Sequence, residues 1–200
     1  STLVVATADK PTGPFAVQTK PDFGESGDLA LFQDQDGQGF IAYDDRMRRS
    51  VRVSRLTPDF QNLTDAAAIA LPAGGGNSYE GASMTFYKGK YLVAGSGVAG
   101  LKPTDTTYAV ADSPLGPYTS KGLMSQRNTW NSQISAFFHL AESDQLIAIC
   151  EQWLTGPDGK RVPAELSCQL WLPLTFDPTT GVAKMEHVQQ WDPWVPAARR

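Results

Sequence analysis

Three residues recur at one phase of the chain and carry groups that can hold, give or orient a proton. They are Asp28, Glu80 and Gln133, spaced 52 and 53 positions apart. Each opens an apolar run of strand character. Asp28 precedes Leu29-Ala30-Leu31-Phe32-Gln33, Glu80 follows the Gly-rich stretch Ala73-Gly74-Gly75-Gly76-Asn77, and Gln133 precedes Ile134-Ser135-Ala136-Phe137-Phe138. A carboxylate entering a buried strand needs a partner or a function. Taken singly, each residue reads equally well as a cap or turn; the common phase favours a site. Two carboxyl-type groups across a pocket suit acid–base hydrolysis of a glycosidic bond. One stays protonated and donates to the leaving oxygen, while the other activates water on the opposite face of the sugar. Tyr79, Trp130 and Trp153 lie near these positions in sequence and have rings that could stack on a sugar, although core packing is the more common use of such rings.

Other chemistries lack their residues. There is no Gly-rich phosphate loop and no GxGxxG pattern. His139 and His187 are the only histidines, and neither sits in a metal-ligand spacing. Gly95-Ser96-Gly97 is not a nucleophile elbow. Asp34-Gln35-Asp36-Gly37 has the start of a calcium loop without its downstream Glu, and reads as a turn. No cluster demands a metal, and no cofactor is required by the chemistry above. The formal net charge is −4, and the local group Arg46, Arg48, Arg49, Arg52 and Arg55 reads as one solvated strand face, which argues against a nucleic-acid partner. No apolar run approaches the roughly 18 residues of a spanning helix.

The elements that position the three residues read as strands. Asp-Gly at 36–37, Lys-Gly at 88–89 and Ser-Asp at 143–144 each centre a hairpin pattern, roughly 50 residues apart. Around them lie three strand sets: Leu29–Gln33, Gly39–Tyr43 and Ser50–Leu56; Ser83–Tyr87, Tyr91–Gly95 and Thr107–Ala111; Ile134–Phe138, Gln145–Cys150 and Ser167–Leu172. A shorter fourth set is expected between Leu174 and Trp194. Ala66-Ala67-Ala68 continues into Ile69-Ala70-Leu71 as strand, and no segment holds a helical apolar stripe. A longer repeat overlies these. Ala8-Asp9-Lys10-Pro11-Thr12-Gly13-Pro14-Phe15 returns as Ala111-Asp112-Ser113-Pro114-Leu115-Gly116-Pro117-Tyr118, with Pro11 and Pro114 103 positions apart. Pro fixes φ and Gly allows positive φ, so these pieces are structural corners. Periods near 50 in an all-β chain predict propeller blades, whose inner strands converge on an axial pocket. The 200 residues suit a single domain.

Cys150 and Cys168 flank a turn at Gly156-Pro157-Asp158-Gly159-Lys160, with their midpoint inside it. Two readings stand: a bridge across paired strands, which would favour an exported protein, or two buried thiols.

These pieces together resemble glycoside hydrolase family 43, most closely its exo-β-1,3-galactanase branch. The resemblance is carried by the first copy of the repeat (8–15), Asp28-Leu29-Ala30-Leu31-Phe32-Gln33-Asp34-Gln35-Asp36-Gly37, Glu80-Gly81-Ala82-Ser83-Met84-Thr85-Phe86, Tyr108-Ala109-Val110 with the second copy, Ser132-Gln133-Ile134-Ser135 and Leu170-Trp171-Leu172-Pro173-Leu174-Thr175-Phe176. It implies an all-β, five-bladed β-propeller, of which residues 1–200 supply about four blades and lack the first. It places Glu80 as general acid, Asp28 as the residue that tunes it, and Gln133 after Ser132 as the glutamine proposed to act in place of a base. Inversion is the implied outcome. Glu151, before Gln152-Trp153, stands where the family has an aspartate, and is grouped with Tyr79, Trp130 and Trp153 as substrate-binding. Gly27 stands where the family has an arginine, and Ala99-Gly100-Leu101-Lys102-Pro103-Thr104 departs from the branch's Thr-Gly-Trp-x-Pro-Asn.

The resemblance implies an oligo- or polysaccharide substrate of galactan type and an extracellular or periplasmic setting. Family members often hold an axial calcium, which no residue cluster here indicates. The missing blade could come from a second chain or a longer polypeptide. Two further readings stay open: a non-catalytic carbohydrate-binding propeller, and an arabinofuranosidase or xylosidase of the same family.

Overall fold

The computed structural model describes residues 3–22, 24–73, 78–100, 102–153, 160, 162–166 and 168–193. The glycine loop at 74–77, Leu101, the turn at 156–159, Ser167 and Trp194 lie outside the described residues.

Alternating side chains build sheets that are apolar on both faces. A short sheet pairs β1 (Val5–Thr7) with β2 (Ala16–Thr19). The first full blade is β3 (Leu29–Gln33), β4 (Gly39–Asp45), β5 (Ser50–Leu56) and β6 (Leu63–Leu71). The second is β7 (Tyr79–Tyr87), β8 (Lys90–Gly97), β9 (Thr106–Ala111) and β10 (Thr119–Leu123). The third is β11 (Ser132–Leu140), β12 (Gln145–Gln152), β13 (Cys168–Phe176) and β14 (Ala183–Met185). Every pairing is antiparallel, in sequence order from inner to outer strand. Three complete blades and a two-stranded piece make up the expected share of about four, in an all-β propeller.

One expectation is corrected. Among the described residues, the stretch after Leu174 forms no separate set: β13 runs on to Phe176, and β14 pairs with it as the outer strand of the third blade. The partial blade lies at the other end, as β1 and β2. The repeat explains its place. Both copies join an outer strand pair, β1 to β2 and β9 to β10. Gly13 and Gly116 both adopt φ +80, followed in each case by a cis Gly–Pro bond. The Gly13 amide donates to the Lys10 carbonyl and the Gly116 amide to the Ser113 carbonyl, both at 2.9 Å.

The core lies between blades. Leu92 and Val93 are neighbours on β8, yet they enter different cores because successive side chains leave opposite faces. Val93 joins Phe40, Val53 and Met84 between the first and second blades. Leu92 joins Ile134, Leu146 and Leu172 between the second and third. Each such side chain contributes about 1.5–3 kcal/mol by leaving water. The inner strand β7 therefore packs against β3 and β4 on one side and β11 on the other.

The cysteines do not bridge. The register sets Cys150 opposite Leu170 and Cys168 opposite Gln152, a two-residue offset that leaves both thiols free. Cys150 is buried; Cys168 is exposed, so the alternative of two buried thiols holds only for the first.

Candidate active site

The site begins with Asp44, at the end of β4 and 1% exposed. Its Oδ1 accepts three hydrogen bonds from one turn: Ser26 Oγ at 2.8 Å, the Gly27 amide at 2.7 Å and the Asp28 amide at 2.8 Å. The backbone that delivers Asp28 is thereby fixed. Asp28 in turn reaches across the blade boundary, where its Oδ2 accepts the Gly81 amide at 2.9 Å.

Gly81 sits in a bulge of β7, where the pairing with β8 skips between Glu80 and Ser83. Such a bulge re-aims the neighbouring side chain, here Glu80. The position requires glycine twice over. Its φ is +66, and a Cβ there would overlap the Ile134 carbonyl and come within 3.1 Å of Gln133 Cγ. Three blades thus meet at one small residue.

A cavity of about 330 Å³ opens at this junction, lined among others by Asp28, Gly81, Gln133, Ser135 and Glu151. Glu80 adjoins it through Gly81. Gln133 is nearly buried and faces Glu151 in the β11–β12 register. Glu80 holds its proton above the ordinary carboxylate range. Burial is the largest cause, followed by the Asp28 charge; the Arg46 guanidinium opposes them, Asp44 adds to the rise, and the Gln133 amide pulls down. A carboxyl raised by burial and a like charge is suited to donate a proton.

Arg46, Arg48, Arg49 and Arg55 are exposed, as expected, but only Arg52 and Arg55 lie on a strand, and three of the group pair with buried acids. Arg48 and Arg52 lie 2.8 and 3.5 Å from Oδ2 of the buried Asp45. Arg46 bonds Asp44 Oδ2 at 3.2 Å and stands 3.9 Å from Glu80 Oε1. The sequence reading missed Asp44 and Arg46. Their only signal was a pair of acids directly after an apolar strand, followed by a base.

Gln133 is delivered by an element that no sequence pattern suggested. Arg127, Asn128, Thr129, Trp130 and Asn131 all have positive φ, between 49 and 61, and form a left-handed helical turn leading into β11. Such a turn costs L-residues roughly 1–2 kcal/mol each and needs external support. Buried Thr129 supplies it: its hydroxyl donates to the Thr104 carbonyl at 2.8 Å and lies 2.7 Å from Ser125 Oγ. The Ser132 hydroxyl donates to the Thr129 carbonyl, and the Trp153 amide to the Asn131 carbonyl.

Asp28, Glu80, Gln133 and Glu151 are brought together. The aromatics are placed differently. Trp130 stacks on His187 at 5.1 Å between centroids, Tyr79 packs against the core between the first two blades, and Trp153 is 9% exposed. Among the described residues, no group of three His, Cys, Asp or Glu could hold a metal ion.

No family model matches the chain. A β-xylosidase from Xylanibacter ruminicola is 30% identical, aligning with 61% of this chain and 48% of that protein. The chain therefore spans about half the length of that curated relative. Solved structures match more fully. A GH43 β-1,3-galactosidase with galactodeoxynojirimycin superposes with a TM-score of 0.78 at 21% identity, covering 94% of this chain and 67% of that one. The exo-β-1,3-galactanase of Phanerochaete chrysosporium with β-1,3-galactotriose gives 0.74 at 23%, covering 93% and 42%. The fold is that of the family 43 propellers, as the resemblance implied.

Proposed function

We propose that this chain carries the acid side of a glycoside hydrolase site that inverts and acts from the chain end on galactan-like β-linked glycans. The observation that carries the reading is the meeting of Asp28 and Gln133 in one cavity with Glu80 beside it, next to the lining Gly81, where burial and the Asp28 charge raise the proton affinity of Glu80. Glu80 donates to the leaving oxygen. Asp28 keeps that proton in place and locks the Glu80 bulge through the Gly81 amide. Gln133, a neutral amide and so a poor base, orients the attacking water. The β-1,3-galactosidase and the exo-β-1,3-galactanase among the matching structures support the sugar class. The X. ruminicola β-xylosidase favours a second reading, a xyloside substrate on the same machinery.

Leu31 on the inner strand β3 is 70% exposed, and Phe138 on β11 is 45% exposed. We place a further blade against these faces, from a second chain or a longer polypeptide, in a protein working outside the cytoplasm. No cofactor enters the scheme.

The test is incubation of the full-length protein with β-1,3-galactobiose, β-1,3-galactotriose and xylobiose, with the first-formed anomer followed by NMR. Release of α-galactose supports the reading. Cleavage of xylobiose alone shifts it to the second reading. Glycan binding without cleavage of any of the three replaces it with a binding propeller.

A further inference from the structure

We propose that Arg46 is a positioning residue of this site: lying over the bare backbone of Gly27, its guanidinium couples buried Asp44 to Glu80 and sets how tightly Glu80 holds its proton. The proposal deepens the assignment of Glu80 as proton donor and rests on it.

The geometry is a relay built on one carboxylate. Asp44 organises the Ser26-Gly27-Asp28 turn through Oδ1 and holds Arg46 Nε through Oδ2 at 3.2 Å. The Arg46 amide is itself fixed to the Glu25 carbonyl at 2.9 Å. From there Nη2 stands 3.9 Å from Glu80 Oε1. The path crosses position 27, where a Cβ would overlap the guanidinium. Gly27 is not in the left-handed region, so the requirement there is for space rather than conformation. Any side chain at 27 must push Arg46 away.

Neighbouring arginines are committed elsewhere, Arg48 and Arg52 to Asp45 and Arg49 to Ser78 Oγ. The charged groups around Glu80 are then Asp28 before β3, Asp44 on β4 and Arg46 after it, with Glu151 of β12 lining the adjoining cavity. Burial and Asp28 raise the affinity of Glu80 for its proton; Arg46 restrains that rise. A donor must be protonated yet still able to let go, and opposed charges achieve both. Arg46 is half exposed, so its pairing contributes little to fold stability. Its effect is on proton affinity.

The experiment titrates the Glu80 carboxyl by carbon-13 NMR in the full-length protein, its resonance identified by loss in E80Q. Wild type, R46Q, G27A and the double variant are compared. The kcat/KM pH profile on β-1,3-galactobiose is recorded alongside. Expected are movements of the Glu80 titration and of the alkaline limb to higher pH in both single variants. The double variant should move no further than R46Q, because the added methyl then has no guanidinium to displace. An unmoved Glu80 titration in R46Q, or effects of the two substitutions that sum in full, overturns the proposal. A moved titration in a protein without turnover upholds the role of Arg46 while the hydrolase reading falls. Turnover with an unmoved titration does the reverse.

Discussion

Asp28 Oδ2 accepts the Gly81 amide at 2.9 Å, so the residue that raises Glu80's proton affinity also anchors the bulge that aims it. The two effects separate in Asp28→Asn, which removes the charge and keeps an oxygen for the amide. Without that charge Glu80 holds its proton less tightly. Activity that requires protonated Glu80 is lost as pH rises through its pKa, so we expect the alkaline limb of kcat/KM to move to lower pH. A profile on β-1,3-galactobiose checks the direction, which is opposite to that expected for R46Q.

Glu80→Gln removes the proton and little else. We expect turnover to fall by roughly 10²–10⁴-fold, the usual range for losing a general acid. The urea unfolding midpoint should stay near that of wild type. Residual activity near wild type would sink the assignment.

Gly81→Ala tests the three-blade junction. The methyl meets the Ile134 carbonyl in a backbone conformation that alanine disfavours. We expect a loss of about 2–4 kcal/mol in urea unfolding, in the range of overpacked sites with a backbone penalty.

Asp45 gives a pH test of stability. Burial pushes its carboxyl up, but the Arg48 amide and the Arg48 and Arg52 guanidinium groups outweigh burial and hold it below the ordinary range. A carboxylate depressed in the fold adds stability that is fully present above its unfolded pKa, about 3.9. That stability is lost as pH falls through the folded value. In Asp45→Asn, Tm should drop near neutrality, and its decline below about pH 4 should flatten. Parallel Tm curves for the two proteins would refute the pairing.

The thiols should differ in chemistry. Burial pushes the Cys150 thiol up to about 12, while Cys168 is exposed. We expect a thiol reagent to modify Cys168 alone in the native protein and both in denaturant. A native protein with no reactive thiol would indicate a bridge.

Much of the fold could be read directly. Leu29–Gln33 and Ser50–Leu56 form strands at the expected bounds, because alternation and an Asp-Gly turn act locally. The convergence of Asp28, Glu80 and Gln133 was also readable, since a fixed period repeats one location on successive blades. What escaped depends on contacts distant in sequence. Arg46 is half exposed, yet nothing near it in sequence reveals that Asp44 is buried or that Gly27 lies beneath its guanidinium. The cysteine midpoint was right for a hairpin but not for its register, which a two-residue slip decides. The left-handed turn before Ser132 has no glycine to announce it. Its conformation is imposed by Thr129's partners at 104 and 125.

That turn also orders events in time. A stretch of five left-handed, non-glycine residues has no tendency to form in a free chain. It must wait until the second blade offers the Thr104 carbonyl and Ser125 hydroxyl. During refolding, sheet signals should therefore appear before Trp130 meets His187, and quenching of its fluorescence, read against W130F, would mark the delay. Gln133 lies two residues beyond that turn, so its placement would share the same delay, and a newly made molecule would acquire its shape before its competence.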